Sequence, residues 1–549
     1  MVTAEILARS HLATHVVRAV RQLWYNGLEK QTVNGVAKLG VCVSGGPDSM
    51  ALAGLLKRVP ELDHKLKIEP VAFIINHNAR PESGSEAALV NRNLLEHDIK
   101  SQTLHMQWPE VAEPLALPNF EASARHKRYR MFARAALDAN IRHLFLGHHQ
   151  DDQVETIMMR LLKTQTRSFL SLQGIYTQAT IPCCEDIPGV TGLHPDAFWP
   201  EPSPTSPSQD GANEIGYSDE PRSPGIQIHR PLLDYPKSEL IDTCTALGIR
   251  YVTDPSNFDP KLTMRNAIRH LRSEYPLPRA LQAPSILQLL SSSRESMADL
   301  NRRGSLCLQK AKVVHFDPRV GFMQVYFEPA FKKTCGKDPE AAAYALAKLT
   351  AVVSPQSRDV VPTVVPQARL KEFQAILASP NNHGSVTMQQ VWLEKLATSP
   401  YGNESGSLWQ LSRPPLRKPE ITVTTVSFQP SSKIQNGNYV SQWLLWDRRF
   451  WIRVKAKTSH DIRKTTVEAF GASRLADIKR VVSKARFLEL SSNLSKAAPD
   501  KLRYTIPVLL YDGKLLALPT LDFAVRGSAK GSQIAGWESY FKEIPQAVL

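Results

Sequence analysis

The stretch Val41-Cys42-Val43-Ser44-Gly45-Gly46-Pro47-Asp48-Ser49-Met50-Ala51-Leu52 decides the reading of this chain. A short apolar run, Leu39–Val43, precedes two glycines, and a helical pattern opens at Pro47. Glycines let a backbone come close to a ligand because no Cβ stands in the way. Proline suits a first helical turn, where its missing N–H has no partner to lose. The free amides and positive helix end attract phosphate. Ser44 and Ser49 can add hydroxyl donors, whereas Asp48 would repel bare phosphate and so implies a cation, most simply Mg²⁺. No lysine stands where a Walker A loop needs one, so a P-loop NTPase is not expected.

Outward from this turn, apolar runs alternate with helical patterns as far as about Val252. Strands are expected at Leu39–Val43, Val71–Ile75, Gln102–Met106, His143–Gly147 and Ile226–His229. Helices are expected at Asp48–Lys57, Ser85–His97, Glu121–Asn140 and Asp151–Leu162. Such alternation predicts an α/β fold with a parallel sheet covered on both faces. Ligands of such sheets bind at the carboxyl ends of the strands. Two helical triplets there carry charge at i, i+4, i+7: His148, Asp152 and Glu155, with Asp151 beside them, and Glu121, Arg125 and Arg128. The acids could hold an ammonium group or a cation, or ligate metal in a phosphoesterase. The arginines could clamp phosphate, or simply pair with Glu121.

Beyond these blocks the pattern changes. Residues 177–225 include Trp199-Pro200-Glu201-Pro202-Ser203-Pro204-Thr205-Ser206-Pro207, too poor in apolar side chains to offset ordering entropy, so a disordered insertion is expected. Residues 278–398 read as mainly helical. Residues 420–549 read as a small basic α+β domain, with a hairpin around Asp512-Gly513 and a half-exposed strand at Phe450–Lys457 that alternates apolar and basic from Ile452. Between Asp447 and Arg486 twelve Lys/Arg face four acids, a large part of the chain's net charge of +15. With Trp443, Trp446, Phe450 and Trp451 at its edge, this region suggests a nucleic-acid surface, against the plainer reading of core aromatics beneath a solvated basic face.

The chain has 549 residues, enough for roughly three domains. No apolar run is long enough to span a membrane. Six scattered cysteines form no CxxC and suit a reducing compartment. Residues 1–38 read as an N-terminal helix, about Ala4–Leu28, followed by a turn. Glu5 is the only acid before Glu29, alongside Arg9, Arg18 and Arg21, which also suits a mitochondrial transit peptide.

Ser44–Ser49 resembles the PP-loop of the ATP pyrophosphatases, an adenine nucleotide alpha hydrolase-like fold. Asn76-His77-Asn78-Ala79-Arg80, Glu121–Tyr129, Gly147–Thr156, Arg230-Pro231-Leu232-Leu233, Asp254-Pro255-Ser256-Asn257 and Arg265-Asn266 follow in an order that resembles tRNA(Ile)-lysidine synthase. The resemblance covers about Leu39–Arg272, with a weaker likeness near Arg474–Pro519. It implies ATP and Mg²⁺ as cofactors. Its substrates are free lysine and the CAU-anticodon isoleucine tRNA, whose wobble cytidine is adenylated at O2 and receives lysine at C2. Carried onto this sequence, Ser44–Ser49 hold nucleotide and Asp48 the metal. Asp48, His77, Arg125, Asp151 and Asp152 are catalytic candidates. Glu121, Arg125, Arg128, His148, Asp151, Asp152, Glu155, Asp254, Asn257, Arg265 and Arg269 are substrate-binding candidates. Arg265 and Arg269, at i, i+4, would form an RNA-facing stripe. A eukaryotic source would place the protein in mitochondria, a bacterial one in the cytoplasm. The chain departs from the family pattern at Asn76 and Asn78, where the family has Asp and Gly, and at Lys163–Thr166. A PP-loop tRNA thiolase and a non-catalytic tRNA-binding protein are the alternatives.

Overall fold

A computed structural model describes residues 10–108, 113–162, 169–191, 225–253, 259–357, 363–379, 384–396, 406–417, 420, 425–498, 500–525 and 533–542. The chain divides into two compact units, Met1–Met297 and Ala298–Leu549.

The first unit is built on the expected alternation. Its strands are β1 (Ala37–Val43), β2 (Ile68–Asn76), β3 (Lys100–His105), β4 (His143–Leu146), β5 (Gln178–Thr180) and β6 (Gln227–His229). They lie in the order β3-β2-β1-β4-β6-β5. Every neighbouring pair is parallel except the edge pair β5–β6. The central strand β1 is buried along its apolar run, as a parallel strand covered on both faces must be. Its helices are α1 (His11–Tyr25), α2 (Pro47–Leu62), α3 (Ser83–Leu95), α4 (Phe120–Asp138), α5 (Gln150–Leu162), α6 (Lys237–Leu247) and α7 (Met264–Glu274), with α8 (Ala283–Leu308) running on into the second unit.

Helix α1 is part of this unit's core. Ser10 caps it, its Oγ accepting from the Ala13 amide at 3.3 Å. Leu12, Val16, Val17, Val20 and Trp24 are buried in one cluster with β1 and α2. His11–Tyr25 thus pack as an ordinary amphipathic first helix, while Met1–Arg9 lie outside the described residues. Burial of an aliphatic side chain of this size contributes about 1.5–3 kcal/mol, and removing α1 would forfeit these contacts and expose the surface of β1 and α2 beneath it.

The expected insertion is also shorter than residues 177–225. β5 pairs with β6, and Cys184, Ile187 and Val190 are buried in the core on the α4 side of the sheet. Arg130 holds this segment through the Asp186 carboxylate and the Cys183 carbonyl, and Arg142 through the Gly189 carbonyl. The Pro/Ser-rich stretch itself lies outside the described residues. Composition could not show that the segment's first part has a polar anchor on each side.

In the second unit helices do predominate through 278–398, but they cover a sheet that the sequence reading did not foresee. Strands β7 (Ala311–Asp317), β8 (Phe322–Phe327), β9 (Ser385–Met388), β10 (Val391–Lys395) and β11 (Ser407–Ser412) form an antiparallel sheet in the order β7-β8-β11-β10-β9. Phe327, Phe331, Phe373 and Trp409 pack together in its core. Further on, Asp512-Gly513 makes the expected hairpin turn, both residues at positive φ. Phe450–Ala456 is a strand, but a buried one, with Arg453 paired to Glu538 and Arg449 to Asp447. Trp446, Phe450 and Trp451 are core residues. The plainer reading of those aromatics is the correct one.

If α1 belongs to the fold, Leu12→Ala should lower the first unit's stability by about 2–5 kcal/mol. A chain lacking residues 1–30 should lose that unit's cooperative transition in urea. An unchanged transition in the truncated chain would overturn the assignment.

Candidate functional site

The turn after β1 is tied shut by its own side chains. Gly45 has φ +88, and a Cβ there would collide with Val90. The Ser49 hydroxyl accepts from the Ser44 amide at 3.2 Å and donates to the Gly46 carbonyl at 3.1 Å. Ser49 thus closes the turn, leaving Ser44 as the exposed hydroxyl. The Val252 amide donates to the Gly45 carbonyl at 2.8 Å, and the Cys244 thiol to the Pro47 carbonyl at 3.4 Å. Pro47 has no amide hydrogen, so the Asp48 and Ser49 amides form the positive end of α2.

The turn after β4 meets this one. At Gly147 a Cβ would stand 2.9 Å from the Asp48 carbonyl and the Ser49 amide, so only glycine allows the two turns to touch. The helix that follows starts at Gln150, and His148 therefore precedes it. The expected helical triplet loses its first member for that reason. His149 is the N-cap. Asp152, at the third helical position, reaches back to accept the His149 amide at 3.1 Å, half of a capping box.

That geometry turns the His149 ring into a group of carboxylates. Its Nε2 lies 3.5 Å from Asp48 Oδ2 and 3.6 Å from Asp152 Oδ2, and its Nδ1 lies 3.6 Å from Asp151 Oδ2. Burial works against a charge on the ring, but the hydrogen bond to Asp151 and the charges of Asp152 and Asp48 outweigh it and hold its pKa above the ordinary value. When protonated, Nδ1 donates to the Asp151 carboxylate; when neutral, it accepts from the Asp151 amide 3.3 Å away. His149, together with Arg272, holds Asp151 well below the usual carboxylate range. Asp48 is different. Burial pushes it up despite His149, and its Oδ1 is buried without a hydrogen-bond partner.

A second layer of cations comes from α7. Arg269 Nε donates to Glu155 Oε1 at 2.7 Å and Arg272 to Asp151 Oδ1 at 2.9 Å, and Arg265 lies 3.4 Å from Asp152 Oδ1. Positions 265, 269 and 272 share one face of α7 and meet positions 152, 155 and 151 of α5. Arg265 and Arg269 are thus counterions of the acidic cluster, each still partly exposed. Glu155 is 2% exposed. Its burial raises its pKa against the pull of Arg269, and its Oε2 accepts no hydrogen bond.

On the other side the site is cationic. Arg230 is buried, donates to the Tyr176 carbonyl at 2.9 Å, and keeps its Nε unpartnered. Arg125 and Arg128 lie over the Tyr129 ring at 5.0 and 6.0 Å. Burial lowers the pKa of both Arg128 and Arg230. It also pulls His148 down to about 3, so its ring is neutral, with Nδ1 buried and unpartnered.

The structure therefore brings together Ser44–Ser49, Asp48, His148, Asp151, Asp152, Glu155, Arg128, Arg265 and Arg269. Glu121 and Arg125 are exposed on α4, and Arg125 turns to Tyr129 instead of Glu121. His77 follows β2, half-buried, its carbonyl accepting from Trp108 Nε1 at 2.8 Å. Asp254, Asn257 and the departure at Lys163–Thr166 lie outside the described residues. Sequence reasoning did not select His149, Arg230 and Arg272 as site residues. The signal for His149 was the acid three residues later, which marks a helix start. The Asn78 departure has a backbone reason: its φ is +47, where asparagine is the usual substitute for glycine. Its side chain donates to the Met106 carbonyl at 3.0 Å, and its amide donates to Asn76 Oδ1 at 2.9 Å.

A family model for the PP-loop domain matches residues 12–272. The match starts at Leu12, the first buried residue of α1. A probable tRNA(Ile)-lysidine synthase of Schizosaccharomyces pombe is 26% identical over 495 residues, covering 90% of this chain and 93% of that protein. A tRNA(Ile)-lysidine synthase of Rhodopseudomonas palustris is 29% identical over 269 residues, covering 46% of this chain and 62% of that protein. Among solved structures, a U34-tRNA thiolase of Methanococcus maripaludis is 15% identical, covering 52% of this chain and 79% of that one, with a TM-score of 0.33, too slight a likeness to bear on the reading. Five of the six cysteines are buried. Burial pushes the Cys244 thiol up to about 12 and the Cys307 thiol to about 11, and thiolate is the reactive form.

His149 gives the site a pH signature. A raised pKa means stabilisation that is complete below the ring's unperturbed value and lost as pH rises through the raised one. The stability difference between the native chain and His149→Asn, read from urea midpoints, should be larger near pH 6 than near pH 9. Equal differences would show that the ring is not held charged.

Proposed function

We propose that this chain is a tRNA-modifying ATP-dependent ligase that makes lysidine at the wobble cytidine of CAU-anticodon isoleucine tRNA. The observation that carries the reading is the side-by-side placement of two charge environments at the carboxyl ends of β1 and β4. One is a phosphate-type turn with a buried, unpartnered carboxylate oxygen on Asp48. The other is a cluster of carboxylates on α5. The lysidine-synthase relatives and the PP-loop domain supply the same class of chemistry.

The residues present fit Mg²⁺. It commonly keeps only one or two protein carboxylates alongside phosphate oxygens and water, and Asp48 Oδ1 is one oxygen without a partner. When bound, the ion would offset phosphate charge. The chain's own groups do the rest. The Asp48 and Ser49 amides and the Ser44 hydroxyl receive the phosphates. Arg128 and Arg230, charged and poorly hydrated, face the anionic side of the reaction, where the cytidine O2 takes the adenylyl group and pyrophosphate leaves. Fixed donors in a dry site stabilise such charge without reorganising.

Asp151, Asp152 and Glu155 receive the lysine. Its ε-amine attacks C2 and AMP leaves with the O2 oxygen. The amine must lose a proton first, and Asp151 or Asp152 can take it, directly or through water. Because α7 already supplies guanidinium partners, a lysine ammonium has to share or displace them. Glu155 Oε2, which accepts no hydrogen bond and has Arg265 Nε 3.5 Å away, is the oxygen to which that ammonium can donate.

The test is incubation of the full chain with α-labelled ATP, labelled lysine and CAU-anticodon isoleucine tRNA. AMP, pyrophosphate and tRNA-bound lysine are expected. Asp48→Asn should cut turnover by about 100- to 1,000-fold, as for loss of one preorganised charge, with tRNA binding kept. AMP release without lysine incorporation would assign a different nucleophile. Turnover unaffected by Asp48→Asn would remove that residue from the mechanism.

A further inference from the structure

The turns after β2 and β3 carry a second feature, distinct from the carboxylates. Trp108, three residues beyond β3, stacks on Phe120, the first residue of α4, with ring centroids 5.3 Å apart and planes 29° from parallel. Its indole Nε1 donates to the His77 carbonyl at 2.8 Å, which fixes the ring's direction. Lys127 places its ammonium 5.2 Å from the centre of the indole. Phe120 and Lys127 are seven residues apart and so share one face of α4. All three side chains are half-buried. Tryptophan with one edge hydrogen-bonded, one aromatic neighbour and a cation at its surface is a rigid slab that still meets solvent.

Its setting is cationic. From Phe120 to Arg130 the helix carries four Lys/Arg against one acid, and Arg125 and His126 are exposed. The slab stands at the same carboxyl edge of the sheet as the PP-loop, two strands from β1. Arg128, one residue on from Lys127, is on the cationic side of the site itself. A ligand reaching the reacting centre past this edge would meet a flat aromatic surface and a positive charge together. Unpaired nucleobases joined by phosphates have that composition.

We propose that Trp108 and Phe120 form a stacking platform for an unpaired base of the RNA substrate next to the reacting cytidine, with Lys127 on the adjoining phosphate. The inference rests on the proposed function for the identity of the RNA. The platform positions the substrate and takes no part in bond making.

The experiment uses full-length chains and a short anticodon stem–loop RNA carrying CAU. Trp108→Ala should weaken its binding about five- to a hundredfold, the range for loss of one stacked base. Trp108→Phe should keep binding within about threefold. Lys127→Ala should flatten the dependence of log K on log salt by about 0.7, one phosphate contact on a single strand. Trp108→Ala should keep its thermal midpoint and its affinity for MgATP. Wild-type RNA affinity in Trp108→Ala would overturn the platform, as would a parallel loss of MgATP affinity or thermal midpoint, or a native chain that does not bind the stem–loop. Turnover of the whole tRNA by the native chain reports separately. Turnover with RNA binding indifferent to Trp108 removes the platform and keeps the ligase. Trp108-dependent binding without turnover does the reverse.

Discussion

Four carboxylates crowd the carboxyl edge of this sheet, and the site depends on how their mutual repulsion is answered. Asp152 and Glu155 are nearly out of water, and Asp48 and Asp151 only partly in it. Like charges so placed would protonate or spread apart unless cations were interleaved. His149 sits among three of them. Arg265, Arg269 and Arg272 pair with Asp152, Glu155 and Asp151. The acids thereby stay in position, two of them held ionised, and the cluster is poised to exchange one cation for another.

The compensation is local and incomplete. Asp48 Oδ1, Glu155 Oε2, His148 Nδ1 and Arg230 Nε are buried without hydrogen-bond partners. Orphaned buried polar atoms are costly and rare in settled parts of a fold. Among the described residues of the first unit, every such atom lies just after β1, β4 or β6 or on α5. Acidic and cationic orphans also lie on different sides, which suits an ammonium-bearing and a phosphate-bearing substrate meeting at one place.

Glycine and asparagine set the backbone on which this rests. Gly147 lets two turns touch, and Gly45 takes a conformation and a space that no side chain could share. Asn78 accomplishes with an amide side chain what glycine does by lacking one. In the second unit the same device hides a hairpin. Gln389 and Gln390 both have positive φ between β9 and β10, without the Asn-Gly or Asp-Gly pair that announces such a turn. That sheet was illegible for this reason, whereas Asp512-Gly513 was plain.

The sequence alone determined the parallel α/β core, the PP-loop and the acidic run on α5, because hydrophobic period, a Gly-Gly-Pro turn and charge spacing are local properties. It could not say that α1 packs into the core, since an amphipathic basic helix reads alike in several roles until the surface it packs on is known. Nor could it tell that Arg265 and Arg269 pair with acids more than a hundred residues away. Which of two adjacent histidines lies within 4 Å of three carboxylates turned on where α5 begins, a start marked by the His149 amide donating to Asp152. Pairing between distant elements is written in no short stretch of chain, so the tertiary structure alone decided it.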